Sequence, residues 1–243
     1  INSMNKKRKQ MIILCGGKGK RMGKLTHSIP KPLIKVGKKS ILEHKINYYK
    51  TQKIQKFIFC LGYKYKLIEK FLKKKKMNSI AINSGISAGI LKRIYSTKKF
   101  IKDDTLISYG DTLAQINFAS LLNSHKKSKK LLTLVAAPIK NPFGLLNWNK
   151  KRIVTRFDEK PILNHFIGYA VIKPKIFDKL SKKIINMPDG RGMVEAIKFL
   201  IKKKQVNTYT FNDLQVTINS PEELNNAKLN YKKYFTLNEK LKK

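Results

Sequence analysis

The sequence predicts an α/β fold in which a mostly parallel, mixed sheet carries helices on both faces. In the first half of the chain, short apolar runs of strand length alternate with segments whose apolar residues recur at helical spacing. Two of these runs end at a glycine, residues 57–61 at Gly62 and residues 105–109 at Gly110. Right-handed crossovers between parallel strands place every strand-to-helix loop at one edge of the sheet, and ligands bind at that edge in open sheets.

The first half, residues 11–137, supplies most of the predicted sheet. The predicted strands cover residues 12–15, 57–61, 80–82, 105–109 and 131–137. The predicted helices cover residues 41–50, a stretch around 67–72, residues 90–98 and residues 118–126. This alternation of strand and helix implies that both faces of the sheet are covered.

From Pro138 onward the pattern changes to strands that follow one another. Strands are predicted at residues 144–148, 153–158, 166–172 and 206–211. Helices are predicted at residues 174–180 and 193–203, the second one after a glycine-rich loop at 189–192. A last helix begins at Ser220, a capping residue followed by Pro221 and two acids near the positive helix end.

The chain of 243 residues, 42% of them hydrophobic, is long enough for one large domain. We expect a disordered basic N-terminus at residues 1–10, which opens with a cloning remnant, and a single domain at residues 11–243 with halves at 11–137 and 138–243. No apolar run is long enough to span a bilayer and no secretory signal is recognisable, so no membrane partner is expected. Cys15 and Cys60 fall in predicted buried strands, and a pair of reduced free thiols fits a cytoplasmic protein.

The formal net charge of +40 suggests a polyanionic partner, but three observations argue against dedicated nucleic-acid binding. The cations are almost all lysine and are spread along the whole chain. Arginine, which makes bidentate contacts to bases and phosphates, is rare, and no nucleic-acid motif is recognisable. A polyanion-binding protein without catalysis is therefore only the distant alternative, although weak binding is expected at low salt.

A glycine loop follows the first predicted strand and is the strongest candidate for a binding site. Gly16, Gly17 and Gly19 allow the backbone to bend sharply and to approach a ligand closely, because no Cβ stands in the way. Such a loop can turn successive N–H groups toward phosphate oxygens. Four cations accompany it: Lys18, Lys20, Arg21 and Lys31. Together these features indicate a phosphate-binding loop at the carboxyl edge of the sheet.

Two common phosphate loops do not fit this stretch. The P-loop needs two glycines five residues apart, followed by Lys and then Ser or Thr, and that spacing is absent. The dinucleotide fingerprint needs a glycine where Met22 stands, and Gly23 comes one residue too late.

The loop does resemble that of the sugar-phosphate nucleotidyltransferases, which have Gly-Gly-x-Gly-x-Arg and then Pro-Lys-Pro. Here these are Gly16, Gly17, Gly19 and Arg21, followed by residues 30–32. The resemblance covers roughly residues 11–228. It implies a Rossmann-like sheet of the nucleotidyltransferase type, with a nucleotide-binding first half and an acceptor-binding second half. It also implies transfer of a nucleotide to a phosphorylated small molecule, with Mg²⁺ as cofactor and pyrophosphate as leaving group.

The resemblance assigns the nucleotide-binding residues. Arg21 should hold the β- and γ-phosphates, and Lys31 should stabilise charge at the α-phosphate during transfer. The residues expected to contact base and ribose through the backbone are Leu14, Gly16 and Gly17. Ser87 and Gly89 belong to a loop that resembles the nucleoside-side loop of the glucose-1-phosphate cytidylyltransferase branch. This likeness makes CTP the expected donor.

Asp111 is the first candidate metal ligand. It ends a predicted buried strand at the ligand edge, where a carboxylate suits Mg²⁺, and Gly110-Asp111 resembles the metal motif of the family. A plain strand-ending turn is the alternative, and the position together with the resemblance favours the metal ligand. The second metal aspartate of the family is absent, and Asn219 stands in that region. Asn219 is either a metal ligand or a helix-capping residue, and the sequence leaves both open.

Glu159 and Lys160 resemble the Glu-Lys-Pro segment that faces the acceptor in the family. The resemblance implies that Lys160 binds the acceptor phosphate and that Glu159 orients the acceptor. An exposed acid–base pair at a strand end is the alternative, and the combination with the N-terminal motif favours the acceptor role.

One departure from the family pattern lies at the acceptor side. Phe166 stands where the sugar enzymes usually have an Asn that holds sugar hydroxyls, and Ile167 replaces a glycine. The chain also resembles the CTP:phosphoglutamine cytidylyltransferases of bacterial capsule phosphoramidate synthesis, which make CDP-L-glutamine. L-glutamine phosphate is therefore the first-choice acceptor, a sugar 1-phosphate is the alternative, and a homo-oligomer is left open.

An amino-acid acceptor needs partners for its carboxylate and its ammonium group. Arg191, in the predicted glycine-rich loop, is the candidate for the carboxylate, since arginine pairs with carboxylates in a bidentate manner. Glu195 is the candidate for the ammonium group. A surface loop and an amphipathic helix also explain both residues, and this simpler explanation is slightly favoured.

Overall fold

The structure is a computed structural model that describes residues 9–235. Most of the predicted disordered N-terminus and the end of the lysine-rich tail lie outside these residues. Gln10, predicted to be disordered, already belongs to the first strand.

The described residues form strands and helices in the following order. The strands are β1 Gln10–Leu14, β2 Lys35–Val36, β3 Lys39–Ser40, β4 Lys56–Leu61, β5 Ser79–Asn83, β6 Thr105–Tyr109, β7 Thr112–Ala114, β8 Leu132–Lys140, β9 Leu145–Trp148, β10 Val154–Asp158, β11 Ile162–Ile172, β12 Val206–Thr210 and β13 Gln215–Thr217. The helices are α1 Leu25–Ser28, α2 Ile41–Thr51, α3 Tyr65–Lys74, α4 Ile90–Tyr95, α5 Phe118–Ser128, α6 Lys182–Ile185, α7 Arg191–Lys202 and α8 Pro221–Phe235.

The central sheet has seven strands in the order β12-β8-β11-β6-β1-β4-β5. β1 lies parallel to both β4 and β6, β5 lies parallel to β4, and β12 lies parallel to β8. β11 runs antiparallel to its neighbours β6 and β8. The predicted α/β fold with a mostly parallel, mixed sheet is confirmed.

Helices pack on both faces because the central strands are apolar on both sides. In β1, Met11 and Ile13 belong to a buried cluster with α2, α3 and α5, whereas Ile12 belongs to a cluster with α4, α6 and α7. Alternate residues of a strand point to opposite faces, so a run such as β1 needs cover on both. Burying one such Ile side chain contributes about 1.5–3 kcal/mol to stability.

Helix boundaries differ from the predictions in several places. α4 ends at Tyr95, not at residue 98, because Ser96 and Thr97 hydroxyls bond to carbonyls of its last turn. The predicted helix at residues 174–180 is a 3₁₀ turn, Pro174–Asp178.

The third difference concerns the predicted loop at residues 189–192, where α7 in fact begins at Arg191. Gly192 was predicted to lie in a loop, but it lies inside the first turn of α7. A Cβ there would lie 2.7 Å from the Ile184 carbonyl oxygen, so this glycine serves close packing between α6 and α7. Arg191 is therefore a helical residue and does not belong to a glycine-rich loop.

The predicted boundary between the halves at residue 137 falls inside β8, which continues to Lys140. A two-stranded arm, β9 with β10, follows it and is largely exposed. Within residues 9–235, no helix has both the length and the apolar character that crossing a bilayer requires.

Both cysteines are free thiols at the centre of the sheet, and Cys15 is 1% and Cys60 0% exposed. Burial raises the pKa of the Cys15 thiol to about 12 and also raises the pKa of Cys60. Because the thiolate is the reactive form, we expect no reaction with a thiol reagent at pH 8 in the folded protein and two reactive thiols in denaturant. A colorimetric thiol titration with and without guanidinium measures this, and a rapidly reacting thiol in the native protein would contradict the buried placement.

Candidate active site

The glycine loop continues directly from β1 and is tied to the end of β4. The Cys15 N–H donates to the Cys60 carbonyl oxygen at 2.9 Å. The Tyr63 N–H then donates to the Gly16 carbonyl oxygen at 3.0 Å. In the part of the chain that the structure describes, the N–H groups of residues 16–19 donate to no backbone carbonyl. These N–H groups are therefore available to an anionic ligand.

The loop turns at Gly19, whose φ of +64° lies in the left-handed region. A Cβ at this position would also lie 3.0 Å from the Thr26 methyl carbon, so glycine suits the position on both counts. A 3₁₀ turn, Lys20–Met22, follows and carries Arg21.

Two adjoining cavities open beside the loop. The larger one, of about 490 Å³, is lined by Leu14, Gly16, Gly17, Lys18, Gly19, Lys20, Ile86, Ser87, Ala88, Ile90, Arg93, Tyr109, Gly110, Asp111, Asp189 and Gly190. The smaller one, of about 260 Å³, is lined by Leu14, Cys15, Gly17, Gly19, Lys20, Arg21, Lys31, Pro32, Gly110, Asp111 and Asn219. The glycine loop and Asp111 thus share one cleft at the carboxyl edge of the parallel strands.

The small cavity contains a hydrogen-bonded cluster of four side chains. Lys31 Nζ donates to Asp111 Oδ2 at 2.9 Å and to Asn219 Oδ1 at 2.8 Å. Arg21 Nη2 donates to the same Asn219 oxygen at 2.9 Å. Lys31 is 8% exposed, whereas Arg21 is exposed. Two cations and one carboxylate leave a net positive charge, which suits a phosphate ligand.

Strand pairing and a helix cap hold the backbone of Asp111 and Asn219 in place. β7 pairs with β13, and the Ile218 N–H donates to the Asp111 carbonyl oxygen at 3.0 Å. Ser220 caps α8 by accepting from the Glu223 N–H at 3.1 Å, as predicted. The Glu223 carboxylate accepts from the Asn219 N–H, which completes a capping-box-like pair. The side chain of Asn219 is therefore not the cap and points to Lys31 and Arg21.

The oxygens of Asp111 and Asn219 fit a divalent cation. Both accept from one cationic atom, Lys31 Nζ, so the two oxygens already converge on a single positively charged position. Mg²⁺ is bound by oxygen ligands, commonly one or two from the protein with the rest from water and substrate phosphates. Within residues 9–235 no cluster of three or more His, Cys, Asp or Glu side chains offers a metal site independent of substrate.

Comparisons with known proteins agree with this geometry. The sequence profile of the family described as nucleotidyl transferase matches residues 10–216. The chain belongs to the nucleotidyl transferase family. It is accordingly an enzyme of that class, as the glycine loop and the Pro-Lys-Pro segment predicted.

Two relatives of this nucleotidyl transferase are described by the substrates of their reactions. A Bacillus subtilis protein described as a probable glucose-1-phosphate cytidylyltransferase is 34% identical over 226 residues, covering 82% of this chain and 86% of the relative. A Campylobacter jejuni D-glycero-alpha-D-manno-heptose 1-phosphate guanylyltransferase is 30% identical over 221 residues, covering 88% of this chain and 96% of the relative.

A solved structure supports the fold. HddC from Yersinia pseudotuberculosis, complexed with GMP-PN, has a TM-score of 0.71 and 20% identity, and the match covers 92% of this chain and 99% of HddC. The seven-stranded sheet of this nucleotidyl transferase is thus an arrangement found in a nucleotide-binding protein.

The predicted acceptor residues lie outside both cavities. Glu159 and Lys160 are exposed, and their side chains form an ion pair of 3.6 Å beyond the end of β10. Arg191 begins α7 directly after Gly190, which does line the large cavity. Glu195 pairs with Lys198 at 3.2 Å on the exposed side of the same helix. The structure brings the nucleotide-side residues together but does not bring these four to the cleft.

The sequence reasoning missed the other wall of the large cavity. Arg93 and Asp189 line this cavity together with Ser87. The Ile90 N–H donates to the Asp189 carbonyl oxygen at 2.7 Å, which joins two loops far apart in sequence. No local sequence pattern predicts this contact. The sequence does offer a signal for Arg93, since it is an arginine on the apolar side of a short predicted helix.

Gly89 lies where these two loops approach each other closely, although it does not itself line the cavity. A Cβ on Gly89 would lie 2.2 Å from the Met187 carbonyl oxygen, while a Cβ on Gly17 would meet no atom within 4 Å. We expect Gly89→Ala to lower the unfolding free energy by about 1–3 kcal/mol, because backbone must move. Gly17→Ala should stay within about 0.5 kcal/mol of the wild type. Urea unfolding of both variants measures this, and equal stabilities would show that the two loops are not tightly packed.

Proposed function

We propose that this nucleotidyl transferase is a Mg²⁺-dependent cytidylyltransferase that transfers CMP from CTP to a sugar 1-phosphate and releases pyrophosphate. One observation carries the proposal: Lys31 Nζ lies between Asp111 Oδ2 and Asn219 Oδ1, in one cleft with the glycine loop. The cytidylyl relative supports CTP as donor, and the guanylyl relative makes GTP the competing donor.

Both substrates are anions, so charge neutralisation and alignment dominate the task of the protein. The free N–H groups of Gly17 and Gly19, which line both cavities, bind phosphate oxygens, and Arg21 holds the β- and γ-phosphates. Lys31 donates to the oxygens of the α-phosphate, where negative charge grows during transfer. Asp111 and Asn219 hold Mg²⁺, which neutralises phosphate charge when it is bound.

The bond changes need no protein nucleophile. An oxygen of the acceptor phosphate attacks the α-phosphorus of CTP, and a new P–O bond forms. The bond from the α-phosphorus to the α–β bridging oxygen breaks, and that oxygen leaves with its electron pair as part of pyrophosphate. Lys31 and Arg21 act on opposite sides of this bond, so alignment of the triphosphate is their shared role.

L-glutamine phosphate, the first choice from sequence, is the second candidate acceptor. The two relatives are named for sugar 1-phosphates, so a sugar 1-phosphate is the first-choice acceptor. The side chain of Phe166 is the reason to retain L-glutamine phosphate as the second candidate. Its ring lies edge-on to Tyr109, with centroids 5.7 Å apart, and offers no hydrogen bond to a sugar. With that acceptor, Arg191 and Glu195 are the proposed partners of the carboxylate and the ammonium group, and the acceptor then extends beyond the two cavities.

Pyrophosphate release tests the proposal directly. Each of the four NTPs is combined with glucose 1-phosphate, a heptose 1-phosphate and L-glutamine phosphate, with Mg²⁺ or with EDTA. We expect turnover with CTP and a sugar 1-phosphate only when Mg²⁺ is present. Turnover with L-glutamine phosphate alone would reverse the choice of acceptor, and Arg191→Ala should then raise the KM of that acceptor. Salt-dependent DNA binding without any turnover would favour the polyanion-binding alternative.

The role of Lys160 has its own prediction. Lys160→Met should raise the KM for the acceptor about tenfold and leave the KM for CTP within about twofold, because an exposed lysine that contacts only the acceptor phosphate contributes a charge-assisted bond to that substrate alone. Lys151→Met, at the exposed end of the same arm, is the matched control. Equal effects of the two substitutions on the acceptor KM would show a general effect of arm charge and no specific contact.

A further inference from the structure

Arg93 is a buried cation at the large cavity that the phosphate chemistry above does not use. The residue is 5% exposed and lines the cavity. One N–H donates to the Leu61 carbonyl oxygen and another donates to the Ile86 carbonyl oxygen at 3.3 Å. In the part of the chain that the structure describes, no carboxylate forms an ion pair with it. Burial lowers the pKa of Arg93 from its usual value, since desolvation disfavours the charge.

Two glycines leave the space that this guanidinium occupies. A Cβ on Gly16 would lie 2.3 Å from Arg93 Nη1, and a Cβ on Gly62 would lie 2.2 Å from the same atom. The guanidinium therefore lies between the backbones that follow β1 and β4, and no other residue type fits at either position without displacing it. Its donors are held in place before a ligand arrives, which reduces the entropy lost on binding.

The position of Arg93 indicates which part of a nucleotide it meets. Arg93 lines only the large cavity, whereas Arg21, Lys31 and Asn219 line the small one, where the phosphates are proposed to bind. Its neighbours in the large cavity include Ile86 and Ile90, which are apolar. The ligand atoms at this end are therefore those of the nucleobase, and the phosphates lie at the other end.

The hydrogen-bond donors of Arg93 limit which nucleobases it can bind. A guanidinium has five N–H donors and no acceptor, and two donors are already used by backbone carbonyls. The remaining donors require adjacent acceptors on the ligand. Cytosine presents O2 and N3 as neighbouring acceptors and guanine presents O6 and N7, whereas uracil has an N3–H donor beside its O2. Of the two bases that fit, the cytidylyl relative favours cytosine. On the basis of the proposed cytidylyl transfer, we propose that Arg93 is a specificity-determining residue that donates to O2 and N3 of the cytosine of CTP.

Binding of CTP and 3-deaza-CTP, in which a C–H replaces N3, tests this by titration calorimetry. The wild-type protein should bind CTP about 10- to 100-fold more tightly than 3-deaza-CTP, the range expected for a hydrogen bond from a charged donor. Arg93→Met should bind the two within about threefold of each other. Arg93→Lys, which keeps the charge but not the planar fork, should show an intermediate ratio.

Inorganic triphosphate separates base recognition from general damage to the site. Its affinity should be the same within about threefold in the wild type and both variants, because it makes no contact with a base-reading residue. If Arg93→Met lost triphosphate and CTP affinity equally, the role of Arg93 would be structural and the proposal wrong. If the wild type did not distinguish 3-deaza-CTP from CTP, the proposal would also be wrong, without reference to any variant.

The outcome for Arg93 is separable from that for the proposed function. Suppose that the wild type turns over CTP and that Arg93→Met keeps the wild-type ratio of CTP affinity to 3-deaza-CTP affinity. This result overturns the Arg93 assignment and leaves cytidylyl transfer standing. Turnover of GTP and not of CTP by the wild type overturns both the choice of donor and the assignment of Arg93 to cytosine.

Discussion

Asp111→Asn should lower kcat about 1000-fold or more with CTP and a sugar 1-phosphate, while the protein stays folded. Asp111 provides the only carboxylate among the residues that line the small cavity. Asparagine keeps the shape but lacks the charge, so it weakens the proposed Mg²⁺ site and leaves the phosphate charge less neutralised. The Asp111 side chain is 27% exposed, so losing its ion pair with Lys31 should change the unfolding free energy by only about 1 kcal/mol.

Steady-state pyrophosphate release, over a range of Mg²⁺ concentrations, measures the effect. The matched control is Asp178→Asn, which removes an exposed carboxylate that is paired with Lys98 at 2.8 Å and lines neither cavity. The control should stay within about twofold of the wild type, as expected for a surface pair. A kcat for Asp111→Asn within tenfold of the wild type would remove the carboxylate from the proposed chemistry.

The sequence was sufficient to predict the fold and the meeting of the glycine loop with Asp111. Both follow apolar strands, and neighbouring parallel strands end at the same edge of a sheet. β1 and β6 are indeed neighbours, with Leu14 opposite Tyr109. This prediction therefore rested on local apolar runs and on the handedness of crossovers, which are both general properties of such sheets.

The part of the site built by distant contacts could not be predicted in the same way. The orientation of Asn219 depends on the pairing of β13 with β7 and on a carboxylate four residues away. Both strands of that pair have only three residues, too few to show a period. The sequence therefore left metal ligand and helix cap equally open, and the hydrogen bond from the Glu223 N–H shows that Ser220, not Asn219, is the cap.

The glycines of the second half were misleading for a related reason. A glycine pair around Arg191 reads as a loop when only local conformational freedom is considered. Here Gly192 is required by the approach of another backbone segment, and Gly89 is required in the same way. Both glycines are required by packing against another segment of backbone, so the residues directly beside them in the sequence carry no signal of it. The same contacts create the wall that contains Asp189.

Lys31→Met is expected to have two effects of opposite direction, which follow from the place of its ammonium group. Lys31 Nζ holds the oxygens of Asp111 and Asn219 at 2.9 and 2.8 Å in the structure, so a divalent cation must compete with it for them. Without this ammonium, the nucleotide-free protein should bind Mn²⁺ about tenfold more tightly. The kcat should nevertheless fall about 100- to 1000-fold, because a donor at the α-phosphate is lost in the transition state.

Electron paramagnetic resonance of free Mn²⁺ measures the first effect, and pyrophosphate release measures the second. Lys35→Met, which removes an exposed lysine in β2, is the matched control and should change neither quantity by more than about twofold. A fall in kcat together with weaker Mn²⁺ binding would mean that Lys31 supports the geometry of Asp111 and Asn219 and does not compete for their oxygens. An unchanged kcat would mean that the charge at the α-phosphate is stabilised by other groups, of which Arg21 is the nearest candidate, since it bonds to the same Asn219 oxygen.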